Sequence, residues 1–338
     1  MRYFIKILIC RVLFYSGLLD LYIRFLLQRR KDFTAVIINY HSFVDRLDKA
    51  MELDPCVTHR IDDFRKEVRF LKKYFDISSL DRLVEGLKRG ELFKRPTVAI
   101  TIDDGYKNNY DYLFPAIKES QIPVTIFLTT DYIGTNDKIW VDRLGSTFYA
   151  TSEQFMELTG EVITGKLSLM TLAEKRRAYM MTLSQLKDLP IESRDAYLAE
   201  IERKLGKPVS FNKPDMLNWQ QVREMLNNHV SFGAHTCSHP ILTSVPVRLA
   251  KEEISNSKKT IEEKLGVPVK HFAYPNGRPQ DFNEELRAYC REIGFESVST
   301  CDYGANSRPG DVFALKRIGP PVPISLFAVN LIRAFDGS

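Results

Sequence analysis

Two places in the chain carry residues that could act together on a substrate. Asp103 and Asp104 stand side by side, followed by Gly105. Adjacent carboxylates repel one another, so at a buried edge they need a cation beside them. Far downstream, His235 and His239 stand four residues apart in Gly233-Ala-His-Thr-Cys-Ser-His-Pro240. On one turn of helix that spacing puts both imidazoles on the same face, close enough to share a metal ion. With one carboxylate they form a two-histidine, one-carboxylate set that leaves positions open for water and substrate. Zinc, cobalt, nickel, manganese or iron would suit it. Only one aspartate is needed as a ligand, and the other can take a proton from a metal-activated water.

Both groups need a scaffold that brings them to one place. Thr97 to Ile102 is an uninterrupted apolar or β-branched run, which reads as a strand buried on both faces with the aspartates at its carboxyl end. Similar runs occur at Thr34–Tyr40, Pro123–Thr130, Val230–Ala234, His271–Tyr274 and Phe295–Thr300. A loop from Pro309 leads to a short strand ending at Ile318. Helical spacing of apolar residues separates these runs: residues 60–90, Tyr110–Lys118 with its entry capped by Asn108-Asn109, 219–228, 250–265 and 284–293. Strand and helix in alternation imply a parallel sheet, doubly wound or closed as a barrel, whose carboxyl edge gathers the chemistry. Residues 145–214 interrupt the alternation and read as a helical insertion with no strong strand.

At these residues the chain resembles a known family. Thr101-Ile-Asp-Asp-Gly105 resembles the T-F-D-D-G motif of the polysaccharide deacetylases (the NodB-homology domain, carbohydrate esterase family four). His235-Thr-Cys-Ser-His239 is similar to their H-[ST]-x-x-H motif, and Tyr274-Pro-Asn-Gly277 to the end of their third motif. The resemblance spans about residues 34–318 apart from the insertion. It implies an α/β fold, a distorted (β/α)7 barrel. It also implies metal-dependent hydrolysis of an N-acetyl group on a sugar of a surface or exported polysaccharide, with zinc the first choice of metal. Asp103 would be the general base, Asp104, His235 and His239 the metal ligands, and the Asn276 N–H an oxyanion donor.

The chain departs from the family pattern in two places. Ala273 stands where many members carry an arginine that orients the base, and Arg317 is a candidate for the missing cation. No histidine follows His271 to serve as general acid. Tyr40-His41 resembles the Tyr-His of the circularly permuted branch, which makes His41 the candidate acid. Trp140-Val-Asp142 and Asp281 are expected to shape the substrate site, Cys237 to be a small filler, and His59, His229 and His271 to lie at the surface or at helix ends. Two rival readings are a deacetylase or deformylase of a lipid-linked sugar, and a non-catalytic glycan-binding relative.

The composition is that of an ordinary globule: 338 residues, 44 % hydrophobic and 27 % charged, with 48 basic against 43 acidic side chains. A net charge of +5, well dispersed, gives no reason to expect nucleic acid as a partner. The five scattered cysteines, Cys10, Cys56, Cys237, Cys290 and Cys301, form no disulfide or zinc-finger pattern. Residues 1–32 form a separate segment, apolar but broken by Lys6, Arg11, Asp20 and Arg24, too interrupted for the ~20 residues of a spanning helix. No cleavage pattern follows it, so a cytoplasmic or inner-membrane-face location is expected, with secretion still open. An amphipathic helix on a membrane surface, with Arg29-Arg30-Lys31 toward anionic headgroups, and a helix docked on the protein's own core both fit. The catalytic domain is expected over 33–320 and a C-terminal tail over 321–338.

Overall fold

A computed structural model describes residues 2–29, 32–46, 57–91, 93–159, 164–206, 216–307 and 310–336. Cys56, Arg30, Lys31 and the end of the insertion fall outside these residues. Seven parallel strands form the centre: β1 (Ala35–Tyr40), β2 (Thr97–Ile102), β3 (Val124–Leu128), β4 (Val230–Ala234), β5 (His271–Ala273), β6 (Ser297–Ser299) and β7 (Arg317–Ile318). Their spatial order is β6-β5-β4-β3-β2-β1-β7. The chain leading into β7 pairs back onto β6 through Ser299 and Leu315, with Leu315 N–H to Val298 O at 2.9 Å and Thr300 N–H to Leu315 O at 2.8 Å. The sheet is therefore a nearly closed barrel of seven strands, as expected for the NodB type.

Each strand alternates its side chains between two environments. The residues that face the surrounding helices are large and aliphatic: Val36, Ile38, Val98, Ile100, Ile102, Val124, Ile126 and Leu128 all join the main core cluster. The alternate residues belong to a second cluster or to polar networks: Ala35, Ile37, Ala99, Phe127 and Ala273 in the first case, Asn39, Thr101 and Arg317 in the second. Small inward residues leave room for long polar side chains to converge at the carboxyl edge. Helix Leu80–Arg89 packs Leu80, Leu83, Val84 and Leu87 onto the apolar inward cluster, and Asp81 approaches His271.

Three local expectations are corrected. Asn108 and Asn109 do not cap a helix. The chain there forms a π-turn at Asn109–Leu113 before helix Phe114–Ser120, and both amides turn back toward the end of β1. The insertion is not wholly helical. Between helices Trp140–Ala150 and Leu172–Leu186 it carries an antiparallel hairpin, Phe155–Thr159 with Thr164–Ser168. Met156 and Leu158 alternate inward there, a period of two hidden in a mixed sequence. Residues 324–336, counted with a tail, form a helix whose Phe327, Leu331 and Phe335 are buried.

The insertion's helix Ile191–Leu205 is tied to helix Trp140–Ala150, which leads into the insertion. Arg143 makes a two-pronged bond to Glu202 at 2.9 and 3.0 Å, and the Arg194 guanidinium lies 4.7 Å over the Trp140 ring. Trp140, Val141 and Asp142, just before the insertion, and Lys187 within it supply part of the pocket described next.

Candidate active site

Strand β2 delivers Asp103 and Asp104 to the carboxyl edge of the barrel, both almost fully buried. The backbone there is unusual: Asp104 has φ 76° and Gly105 φ 86°. A Cβ on Gly105 would lie 2.8 Å from a Leu128 methyl, so glycine is required for the close approach as well as for the turn. The reversal sends the two carboxylates in different directions, and each meets a different set of partners.

Asp103 sits in a cationic and amide cradle. Arg317 donates to Oδ1 at 2.7 Å and Asn39 Nδ2 to Oδ2 at 2.9 Å. Asn39 is held in that orientation because its own Oδ1 accepts from Thr101 at 2.9 Å and from Arg317 at 2.8 Å. Arg317 also donates to Thr300 O at 2.8 Å. Burial works to raise the Asp103 carboxyl, but the charge of Arg317, then of His235 and His41, outweighs it and holds the group below its ordinary range. The Arg317 guanidinium thus reaches the base from β7, while the corresponding position on β5 is Ala273. His41 Nε2 stands 3.7 Å from Asp103 Oδ2, beyond hydrogen-bond reach, on the partly open side.

Asp104 faces the histidines. Its Oδ1 lies 3.5 Å from His235 Nε2 and 3.4 Å from His239 Nε2, and it is a buried oxygen with no hydrogen-bond partner among the described residues. The three ligand atoms lie within 4.8 Å of one another. A tetrahedral site with bonds of about 2.1 Å has ligand atoms about 3.4 Å apart, so the set fits a small divalent cation. His235 Nδ1 is 2.7 Å from Ala273 O and must donate there, which leaves the Nε2 lone pair aimed at Asp104. Burial lowers His235 but the two carboxylates raise it overall, whereas burial keeps His239 below its ordinary value. A cation competes with a proton for His235 Nε2, so its binding falls as pH falls.

The histidines are not on a helical turn. They follow β4 in a loop in which Thr236 and His239 take φ of 67° and 59°. The Thr236 hydroxyl accepts the His239 N–H at 3.1 Å, and buried Glu253 accepts the Cys237 and Ser238 N–H groups, both at 2.8 Å. Side-chain acceptors thus do the work that helical carbonyls would have done.

A cavity of about 220 Å³ opens over both carboxylates, and His41, Trp140, Asp142, Lys187, His239 and Asn276 are among its lining residues. Asn276 has φ 59°, as does Gly277, where a Cβ would lie 2.9 Å from Cys301 N. The Asn276 side chain is held between Lys187, at 2.8 Å, and Asp281. Asp281 therefore supports the turn instead of lining the cavity, and also binds Arg278. Asp142 accepts from Tyr106 at 2.9 Å.

Several contributors escaped the sequence reading. Asn109 donates to the His41 carbonyl at 2.8 Å, Glu253 holds the loop that bears His235 and His239, and Lys187 holds the Asn276 turn. His59 and His271 are buried, not superficial. His59 Nε2 lies 3.1 Å from Glu67, which also accepts from Tyr40 at 2.8 Å, and His271 lies 2.8 Å from Ser297.

Comparison with known proteins agrees with this picture. Residues 91–298, more than half of the chain, match the family model described as polysaccharide deacetylase. The chain belongs to the polysaccharide deacetylase family. The poly-beta-1,6-N-acetyl-D-glucosamine N-deacetylase of Staphylococcus epidermidis is 29 % identical over 115 residues, 31 % of this chain and 39 % of that protein. YxkH of Bacillus subtilis (strain 168) is 28 % identical over 102 residues, 30 % of this chain and 36 % of its own. The chain thus spans well under half the length of these curated relatives. Among solved structures, the Streptococcus pyogenes deacetylase PplD in complex with acetate superposes with a TM-score of 0.58 at 16 % identity, covering 89 % of this chain and 98 % of that one. IcaB from Ammonifex degensii gives 0.56 at 18 %, covering 89 % and 97 %. At such identities the likeness is one of fold.

Proposed function

We propose that this protein hydrolyses an N-acetyl group from a sugar residue of a surface or exported polysaccharide, releasing acetate and leaving a free amine. The observation that carries the reading is the division of labour at the end of β2. Asp103 is oriented and kept ionised by Arg317 and Asn39, while Asp104 faces His235 and His239 with an unsatisfied oxygen.

Asp104, His235 and His239 would hold the metal, zinc by first choice, with cobalt, nickel, manganese or iron also suited to the donors. Bound there, such an ion makes a water more acidic and polarises the amide carbonyl. Asp103 takes a proton from the attacking water. Each of its oxygens carries one protein hydrogen bond, which leaves lone pairs for that proton. The Asn276 N–H, in a turn braced by Lys187 and Asp281, holds the developing oxyanion. His41, on the more exposed side of the cavity, gives a proton to the departing amine. Arg317 keeps Asp103 in place and charged, and does not itself meet substrate.

The test is acetate release from N-acetylglucosamine oligomers, β-1,6-linked ones included, with and without divalent cations. Activity that disappears on chelation and returns with added metal is expected. Glycan binding without acetate under any divalent metal would overturn the reading in favour of a non-catalytic relative. A lipid-linked acetylated or formylated sugar is the second reading, favoured by the exposed apolar N-terminal helices, and release from lipid-linked over free oligomers would select it.

A further inference from the structure

We propose that the N-terminal helical hairpin is a membrane-docking surface that seats the protein on an anionic bilayer. The hairpin consists of helices Arg2–Tyr15 and Leu18–Arg29. Half of all the exposed large apolar side chains among the described residues fall between positions 4 and 25. Phe4 is 77 % exposed, Leu8 62 %, Val12 56 %, Leu21 65 % and Phe25 50 %. A continuous apolar face of this kind is rarely left to water in a soluble protein.

The face cannot simply fold away, because the opposite side of the hairpin is already committed. Cys10, Leu19 and Ile23 are buried, and Leu13, Phe14, Leu26 and Leu27 pack on the main core. Asp20 anchors the second helix to Lys73 at 2.9 Å and to the Tyr74 hydroxyl. Ile23, Leu26 and Leu27 share a small cavity with Phe33 and Pro96, which lie just before the amino ends of β1 and β2. The hairpin thus sits toward the amino end of the barrel, leaving the carboxyl-edge cavity open.

Charge selects the occupant. The hairpin carries exposed Lys6, Arg11, Arg24 and Arg29 against the single acid Asp20, which Lys73 and Arg24 already occupy. Beside it, helix Ile61–Tyr74 turns Lys66, Arg69, Lys72 and Lys73 outward, Lys66 paired with Asp63 at 2.8 Å and Lys73 with Asp20 at 2.9 Å. A groove of about 630 Å³ between the two is lined by Phe14, Tyr15, Lys66, Arg69 and Lys73. Arg69 makes no ion pair among the described residues and is free to meet a lipid phosphate. Apolar side chains bordered by cations are the pattern of a surface lying in the interface of an acidic membrane. Neither helix spans: at 14 and 12 residues they reach about 21 and 18 Å, against a hydrocarbon core of about 30 Å. No helix of the described residues is long and apolar enough to cross a membrane.

The experiment is sedimentation of the full chain with vesicles of phosphatidylcholine alone or mixed with phosphatidylglycerol. Binding to the mixed vesicles, weakened by salt, is expected. Leu8→Glu with Phe25→Glu should lower the partition coefficient about tenfold or more on both vesicle types. Arg69→Ala should lower it about fivefold on the acidic vesicles alone. Thermal melts by circular dichroism check that each variant is folded, and this readout does not depend on any enzymatic activity. A parent chain that leaves acidic vesicles unbound would overturn the proposal. So would hairpin variants that bind like the parent, or a dimer that keeps this face covered in the presence of vesicles.

Discussion

At the carboxyl edge of the barrel, Asp103, Asp104, His235 and Arg317 are charged or ionisable and almost wholly buried, whereas on the N-terminal hairpin Phe4, Leu8, Val12 and Leu21 are apolar and exposed. Each region inverts the ordinary distribution of residues, in opposite senses. Asp103 is matched atom by atom by Arg317 and Asn39, and Asp104 stands between His235 and His239 with one oxygen left open to a cation. The exposed apolar side chains have no such match within the chain, and their partner has to come from outside. An inversion satisfied internally except at one oxygen aimed among metal-binding groups marks a site of chemistry, and one left open over a whole apolar face marks a site of contact.

The sharpest way to break the first half of that contrast is to separate the two aspartates. Asp103→Asn keeps the shape and the metal-facing set but removes the proton acceptor, so acetate release should fall by about 10²–10⁴-fold while metal content measured by atomic absorption is retained. Asp104→Asn should lose both. Equal metal loss in the two variants would mean that the carboxylates do not have separate tasks.

The next largest effect concerns Arg317. Asp103 lies below its ordinary value in the fold because the guanidinium outweighs burial, so it contributes stability above the unfolded carboxyl's value, and this is lost as pH falls through the lowered folded one. In Arg317→Met burial is unopposed by that charge, and the carboxyl moves up. The acid limb of kcat/KM should then shift to higher pH, and unfolding in urea should show a loss of about 3–5 kcal/mol at neutral pH. A variant with an unmoved acid limb would remove Arg317 from the base's environment as a functional partner.

How far these features could be read from residues alone follows from their range in sequence. The strands were legible because each is an uninterrupted apolar or β-branched run, and Asp103-Asp104-Gly105 and His235-x-x-x-His239 are local patterns. The closed barrel was not evident from the runs themselves. Ala35, Ile37 and Asn39 face one way and Val36, Ile38 and Tyr40 the other, yet no charge marks the alternation. Arg317 was a candidate because Ala273 leaves the base without its usual arginine, but its 2.7 Å contact with Asp103 spans 214 positions, a through-space distance that residue pattern does not encode. The histidine loop misled for a different reason. Four-residue spacing suits a helix, but Thr236 and His239 adopt positive φ and Glu253 supplies the acceptors. Burial of His59 went unseen because its partner, Glu67, lies on a helix whose charges elsewhere face solvent.

The hairpin offers the gentlest test, since its two faces lie on the same helices. Ile23 is 2 % exposed and packs in the core, so Ile23→Ala should destabilise the fold by about 2–4 kcal/mol, read as a lower urea midpoint. Leu8, on the other face, contacts water in the isolated chain, and Leu8→Ser should change stability by no more than about 0.5 kcal/mol. The same Leu8→Ser should weaken vesicle binding, so that stability and binding respond to opposite faces. A marked stability loss at Leu8 would mean that its face is already covered in solution, which assigns the exposed surface to a second protein chain and not to lipid.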